Sequence, residues 1–138
     1  MRLRDHPLFR ELISLQLPVD DFVVAGSAPM LIHGLKREIS DIDIVARGTA
    51  WDVALELGQV SDPPRGPARR IVLFGGDIEV LDRWFEHSAE ELIREAEFFD
   101  GIRFLSLART LEWKNALGRD VDRADVSLIR DHRGCAQK

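Results

Sequence analysis

Two acids one residue apart, in Ser40-Asp41-Ile42-Asp43-Ile44, are the residues of this chain best suited to holding a hard cation. A divalent ion such as Mg²⁺ takes carboxylate oxygens, commonly one or two from the protein, and completes its shell with water and substrate phosphates. The period-two alternation predicts a strand whose isoleucines face one side and whose carboxylates, Asp41 and Asp43, share the other. The plain alternative is an acidic, solvated sheet face.

Upstream, Gly26-Ser27 closes the apolar run Phe22 to Ala25. A glycine there lets the backbone approach a phosphate, and neighbouring N–H groups and the Ser27 hydroxyl can donate to its oxygens. An ordinary strand-to-helix turn explains the same pair. Glu79 supplies a third acid on a predicted strand whose Ile78 and Val80 point the other way, with Asp77 a competitor on the same predicted face. Such an acid bridges to a second metal or takes the proton of an attacking hydroxyl. In the stretch LEWKNALGRDVDRADVSLI, Lys114 could reach a triphosphate as a point charge, and Arg119 could clamp a phosphate or pair with Asp122. Ion pairing along helices accounts for both residues equally well.

These residues need elements to hold them. Pro7 opens a first helix of about three turns with Leu8, Leu12, Ile13 and Leu15 as its apolar stripe. Phe22 to Ala25 reads as a strand, Pro29 to Leu35 as a short helix stopped by Gly34, and Thr49 as the cap of a helix closed by Gly58. Asp62 to Pro67, rich in proline and glycine, reads as a mobile loop. Gly75-Gly76 and Asp100-Gly101 each join two apolar runs and predict hairpins. Ser88 with Glu91 forms a capping box, Ser106 caps a helix running to Gly118, and a last helix follows. Strands, two hairpins and interleaved helices give an α+β or mixed α/β domain rather than a doubly wound sheet.

Composition narrows the class. The 138 residues suit one domain, and 45% hydrophobic with 31% charged residues is the balance of a soluble globular chain. A net charge of -5 argues against a broad electrostatic grip on nucleic acid and mildly against RNA. No apolar segment follows Met1 to Pro7 as in a signal peptide, and no run is long enough to span a bilayer, so a cytoplasmic location is expected. Cys135 is the only cysteine, which excludes an internal disulfide and a multi-cysteine zinc site. His6, His33, His87 and His132 show no metal-ligand spacing, and Trp51, Trp84 and Trp113 read as core or core-edge residues. Neither a Gly-x-Ser-x-Gly elbow nor a Walker lysine loop is present.

Taken together, Val24-Ala25-Gly26-Ser27, the loop that follows, Asp41-Ile42-Asp43-Ile44 and a later acid resemble the nucleotidyltransferase superfamily related to DNA polymerase beta. The resemblance runs from about Phe22 to Ile129, because WKNALGRDVDRADVSLI is similar to the tail of small bacterial nucleotidyltransferases, including the abortive-infection toxin group. It implies a mixed sheet flanked by helices on one face, with an active cleft on the other. Within one domain of residues 1–138, it implies an N-terminal helix (1–20), a catalytic sheet core (21–105), C-terminal helices (106–133) and a tail (134–138). It further implies Gly26, Ser27, Lys114 and Arg119 at a nucleotide, and Asp41, Asp43 and a third acid, Glu79 or Asp77, holding Mg²⁺ or Mn²⁺. The expected activity is transfer of a nucleoside monophosphate from an NTP to a hydroxyl of a small molecule, a protein or a tRNA end. The chain ends without the helical domain by which larger members bind acceptors, so a partner protein or a second copy is expected to complete that site. A catalytically silent nucleotide-binding or interaction protein of the same fold is the rival reading.

Overall fold

The computed structural model describes residues 1–61 and 68–136, with side chains to residue 133. The loop expected at Asp62 to Pro67 lies outside the described residues, as does the side chain of Cys135.

Hydrophobic strands assemble around the acid motif. β1 (Phe22–Ala25) runs antiparallel to β2 (Ile42–Ala46), and β2 runs parallel to β5 (Ile78–Leu81). β4 (Arg70–Leu73) joins β5 as the hairpin expected at Gly75-Gly76, and the short β3 (Val60–Ser61) adds at that edge. At the other side β8 (Glu97–Phe99) and β9 (Ile102–Phe104) form the second hairpin, with Asp100 and Gly101 both at positive φ, and β9 pairs parallel with β1. The result is one mixed seven-stranded sheet in the order β3-β4-β5-β2-β1-β9-β8. A separate two-stranded ribbon comprises β6 (Arg83–Trp84) and β7 (His87–Ser88).

Period-two alternation sorts the sheet residues into two layers. Val24, Ile42, Ile44, Ile78 and Val80 are buried against α1 (Pro7–Ser14) and α3 (Gly48–Leu57), forming the main core. Val23, Ala25 and Val45 face the other way and pack beneath α4 (Ala89–Glu95). Helices therefore back one face completely, and α4 also covers one end of the second face. Beyond Ala25 and Val45 on that second face stand Asp43 and Glu79, both half-buried.

Several local details differ from expectation for identifiable reasons. In α1 the buried residues are Leu8, Phe9 and Leu12, whereas Ile13 is exposed, because the helix turns its Phe9 side onto Phe104. The helix after Gly26-Ser27 is only α2 (Ala28–Ile32), since its chain turns out at His33 and Gly34 takes a positive φ. Thr49 lies inside α3, which Arg47 precedes without a side-chain cap. Ser88 and Ser106 do cap, each accepting a backbone N–H bond, from Glu91 and Arg109 respectively. α5 (Leu107–Leu117) ends at Gly118 in the left-handed conformation, and α6 (Asp120–Ala136) continues past the point where a tail was expected to begin. α5 and α6 pack back on Met30 of α2 through Leu107 and Ile129.

Candidate active site

β1 and β2 set the position of the site. Ala25 is the register partner of Asp43 across the antiparallel pair, and Asp43 is in turn the partner of Glu79 across the parallel pair. Asp43 and Glu79 are thus neighbours on one face by backbone geometry alone. Asp41 is different: it precedes β2, exposed, so the two aspartates do not form a strand pair. Asp77 also leaves the strand, taking a helical conformation after Gly75 and Gly76, and its carbonyl accepts from the Ile42 N–H at 2.8 Å. Its charge bears on Asp41 rather than on Asp43.

Gly26, at φ +66°, allows this close packing. A Cβ there would lie 2.7 Å from Asp43 Oδ2, so no other residue fits without displacing the carboxylate. Asp43 Oδ1 is buried and has no hydrogen-bond partner among the described residues. Burial pushes the Asp43 carboxyl up to about 7, and the charges of Asp41 and Glu79 and a side-chain hydrogen bond with Glu79 add to that, while Lys114 acts in the opposite direction. Asp41 is raised as well, first by partial loss of hydration and then by Asp77. Glu79 has a counterion in Arg70 on the neighbouring strand, 3.5 Å away, and Arg70 Nε is itself buried without a partner among the described residues. Two unmet polar atoms of opposite sign therefore flank Glu79.

Ser27 points its hydroxyl toward the C-terminal helices instead of capping α2. It accepts from Lys114 Nζ at 3.1 Å, a contact made across 87 residues. Lys114 is only 2% exposed: it donates to Asp125 at 2.8 Å, lies 3.8 Å from Asp122 and sits over the Trp113 ring. It is therefore enclosed rather than presented to solvent. Arg119 forks onto Asp122 through Nε and Nη2 at 2.6 and 3.0 Å, and the pair holds the Asp122 carboxyl below the usual carboxylate range. Of the two roles open to Arg119, pairing with Asp122 is the one adopted.

Beside this cluster, Ser27, Lys36, Glu38, Ile39, Ser40 and Asp41 line a cavity of about 360 Å³. Lys36 and Arg70 are the cationic residues at this corner that sequence reading passed over. Arg70 had a signal, since an antiparallel hairpin puts it within one diagonal of Glu79. Lys36 had only its place in the loop between the Gly-Ser turn and the acids.

The residues fit a divalent cation in one respect and limit it in another. A buried carboxylate oxygen without a partner, next to two further acids, is the donor set a hard cation takes. Yet Asp41, Asp43 and Glu79 do not bring one oxygen each within 4.8 Å of one another. That spacing suits an ion shared with phosphate oxygens better than a cage made by the protein alone. Among the described residues, the group that does meet 4.8 Å is Glu86, His87 and Glu112, a set drawn from separate elements that linear spacing does not announce. There Arg109 bonds both His87 Nε2 and Glu112, so the group is part of an ion-pair network. It borders a second cavity of about 390 Å³ walled by Trp84, Phe85 and Trp113. Trp51 and Trp113 are otherwise buried, as expected of core residues.

Among the described residues no helix is long and apolar enough to cross a membrane. No protein-family profile and no curated protein matches the chain. A solved structure does: a Thermotoga maritima protein proposed to be a nucleotidyltransferase superposes with a TM-score of 0.55 at 19% identity, covering 94% of this chain and 92% of its own. The chain has the mixed α+β fold of that protein.

Proposed function

We propose that this chain is a metal-dependent nucleotidyltransferase, moving a nucleoside monophosphate from an NTP to a hydroxyl acceptor. The observation that carries the reading is Asp43 Oδ1, buried with no partner among the described residues, between Asp41 and Glu79 and next to the Gly26-Ser27 turn. Leaving a buried carboxylate oxygen unpaired is costly, and a fold that keeps one beside two more acids has a use for an external cation. Mg²⁺ or Mn²⁺ held by Asp41 and Asp43 would supply neutralisation of the triphosphate charge.

The chain's own residues do the rest. Ser27, fixed by Lys114, borders the phosphate end, and Glu79 on the adjacent strand accepts the proton of the acceptor hydroxyl. The acceptor oxygen bonds to the α-phosphorus as the bond from that phosphorus to the leaving pyrophosphate breaks. Lys114 and Arg119 act from behind, holding the cluster in register with the nucleotide. A silent binding or interaction protein of the same fold, completed by a partner chain, is the second reading, and it draws on the failure of the three carboxylates to close within 4.8 Å.

Incubation of the protein with each of the four NTPs labelled at the α-phosphate, in cell extract containing Mg²⁺, separates the two. Transfer requires that label appear on a small molecule, a protein or an RNA end, with pyrophosphate released, and that an Asp41→Asn, Asp43→Asn double variant lose both signals. Equal signals from the double variant would end the enzymatic reading.

A further inference from the structure

Lys114 is the lysine that the motif offers for a triphosphate, and the fold encloses it at 2% exposure. A second ammonium lies nearby. Lys36 Nζ is 3.0 Å from Asp125 Oδ2, the same oxygen that accepts from Lys114 at 2.8 Å. The Lys36 side chain is 24% exposed, and Lys36, unlike Lys114, lines the cavity that holds Ser27, Ser40 and Asp41.

We propose that Lys36, steered by Asp125, is the side chain that grips the phosphates of the nucleotide. The proposal rests on the nucleotidyltransferase reading above and deepens it. Charge supports it first. Lys36, Lys114 and Arg119 face Asp122 and Asp125, so the cluster carries one positive charge more than it neutralises, and of its two lysines Lys36 is the one that reaches the cavity. An ammonium has three donors, and the ion pair with Asp125 leaves Lys36 donors to offer an anion.

The backbone supports it second. α2 has five residues and Pro29 in its first turn, so its N-terminus offers a weak dipole and one N–H fewer for an anion. The grip on phosphate must then come from side chains, and Lys36 with the Ser27 and Ser40 hydroxyls are the donors lining that cavity. Asp41 and Glu38 line it as well and would repel a bare polyphosphate. The expected ligand is accordingly a polyphosphate complexed with a divalent cation. Asp125 adds a link: the oxygen that pairs with Lys36 beside the cavity also anchors Lys114, whose Nζ donates to Ser27.

Calorimetry with Mg²⁺-tripolyphosphate and with the four Mg²⁺-NTPs tests this without knowledge of the base or acceptor. Wild type should bind tripolyphosphate and at least one nucleotide. Lys36→Met should weaken each by about tenfold or more, the loss of one charge-assisted contact. Lys36→Arg should restore most of the affinity, and Arg37→Met, at the exposed neighbour outside the cavity, should bind as wild type does. Unfolding midpoints of all variants should stay near that of wild type. Binding by Lys36→Met at the wild-type affinity, or failure of arginine to restore it, overturns the role of Lys36 and leaves the nucleotidyltransferase reading standing. Wild type that binds none of the five ligands overturns that reading, and the role of Lys36 with it.

Discussion

Two groups of aspartates in this molecule are treated in opposite ways. Asp122 and Asp125, at the packing of α5 and α6, are 0% and 3% exposed, and both have cations: Arg119 on the first, Lys114 and Lys36 on the second. Asp43, on the central strand of the sheet, has Asp41 and Glu79 as its neighbours and an oxygen with no partner among the described residues. The same chain that neutralises two buried acids almost completely leaves a third exposed to like charge. Paired acids of this kind hold structure together, and a buried carboxylate oxygen left unmet beside like charges marks a place for something from outside.

Breaking each side of the comparison should give different signatures. Asp125→Ala removes the counterion of an enclosed ammonium, and about 3–5 kcal/mol of stability should be lost in urea unfolding. A loss under 1 kcal/mol would mean that the cluster relaxes into water. Asp43→Asn should act on chemistry instead, lowering the initial rate of label transfer by about 10²–10³-fold, equivalent to some 3–4 kcal/mol of transition-state stabilisation.

The same Asp43→Asn change should raise stability, with a sign fixed by its titration. Asp43 moves from the usual 3.8 to about 7 on folding, so between those values the folded chain keeps a proton that the unfolded chain releases. Stability should therefore decline as pH rises from about 4 to about 7 and then level off. Asp43→Asn should abolish that decline, gaining roughly 1–3 kcal/mol at pH 8 and nothing near pH 3, measured by urea unfolding at each pH. Gly26→Ala should cost about 1–2 kcal/mol through its positive φ and the contact with Asp43 Oδ2. Pairing it with Asp43→Ala, which clears that oxygen, should return part of the loss, and strict additivity of the two would sink the close-packing account.

What could be read from the sequence follows the range of the forces involved. Phe22–Ala25, both hairpins, and the Ser88 and Ser106 caps depend on residues within a few positions of one another, and each forms where local rules place it. Asp43 and Glu79 share a face because alternation within β2 and β5 is local too, leaving only the strand pairing to the fold. Asp41 and Asp77 escaped the same rule because β2 begins at Ile42 and the Gly75-Gly76 turn runs through Asp77 before β5 begins. Of the two readings open to Lys114, ion pairing is present, with Asp125 and Asp122, but its enclosure and its bond to Ser27 depend on a contact 87 residues away that no local rule gives. The dual use of Asp125 by Lys114 and Lys36 is hidden for the same reason. Likewise, nothing local joins His87 and Glu86 to Glu112.

The most direct test of the unpaired Asp43 as a cation site is Mn²⁺ binding followed by solvent proton relaxation, with and without nucleotide, at pH 8. Wild type should bind Mn²⁺ weakly alone and more tightly with an NTP present, because the ion is shared between Asp41, Asp43 and phosphate oxygens. Asp43→Asn should lose the nucleotide-dependent gain. Identical Mn²⁺ binding by wild type and Asp43→Asn, with nucleotide present, would contradict the account.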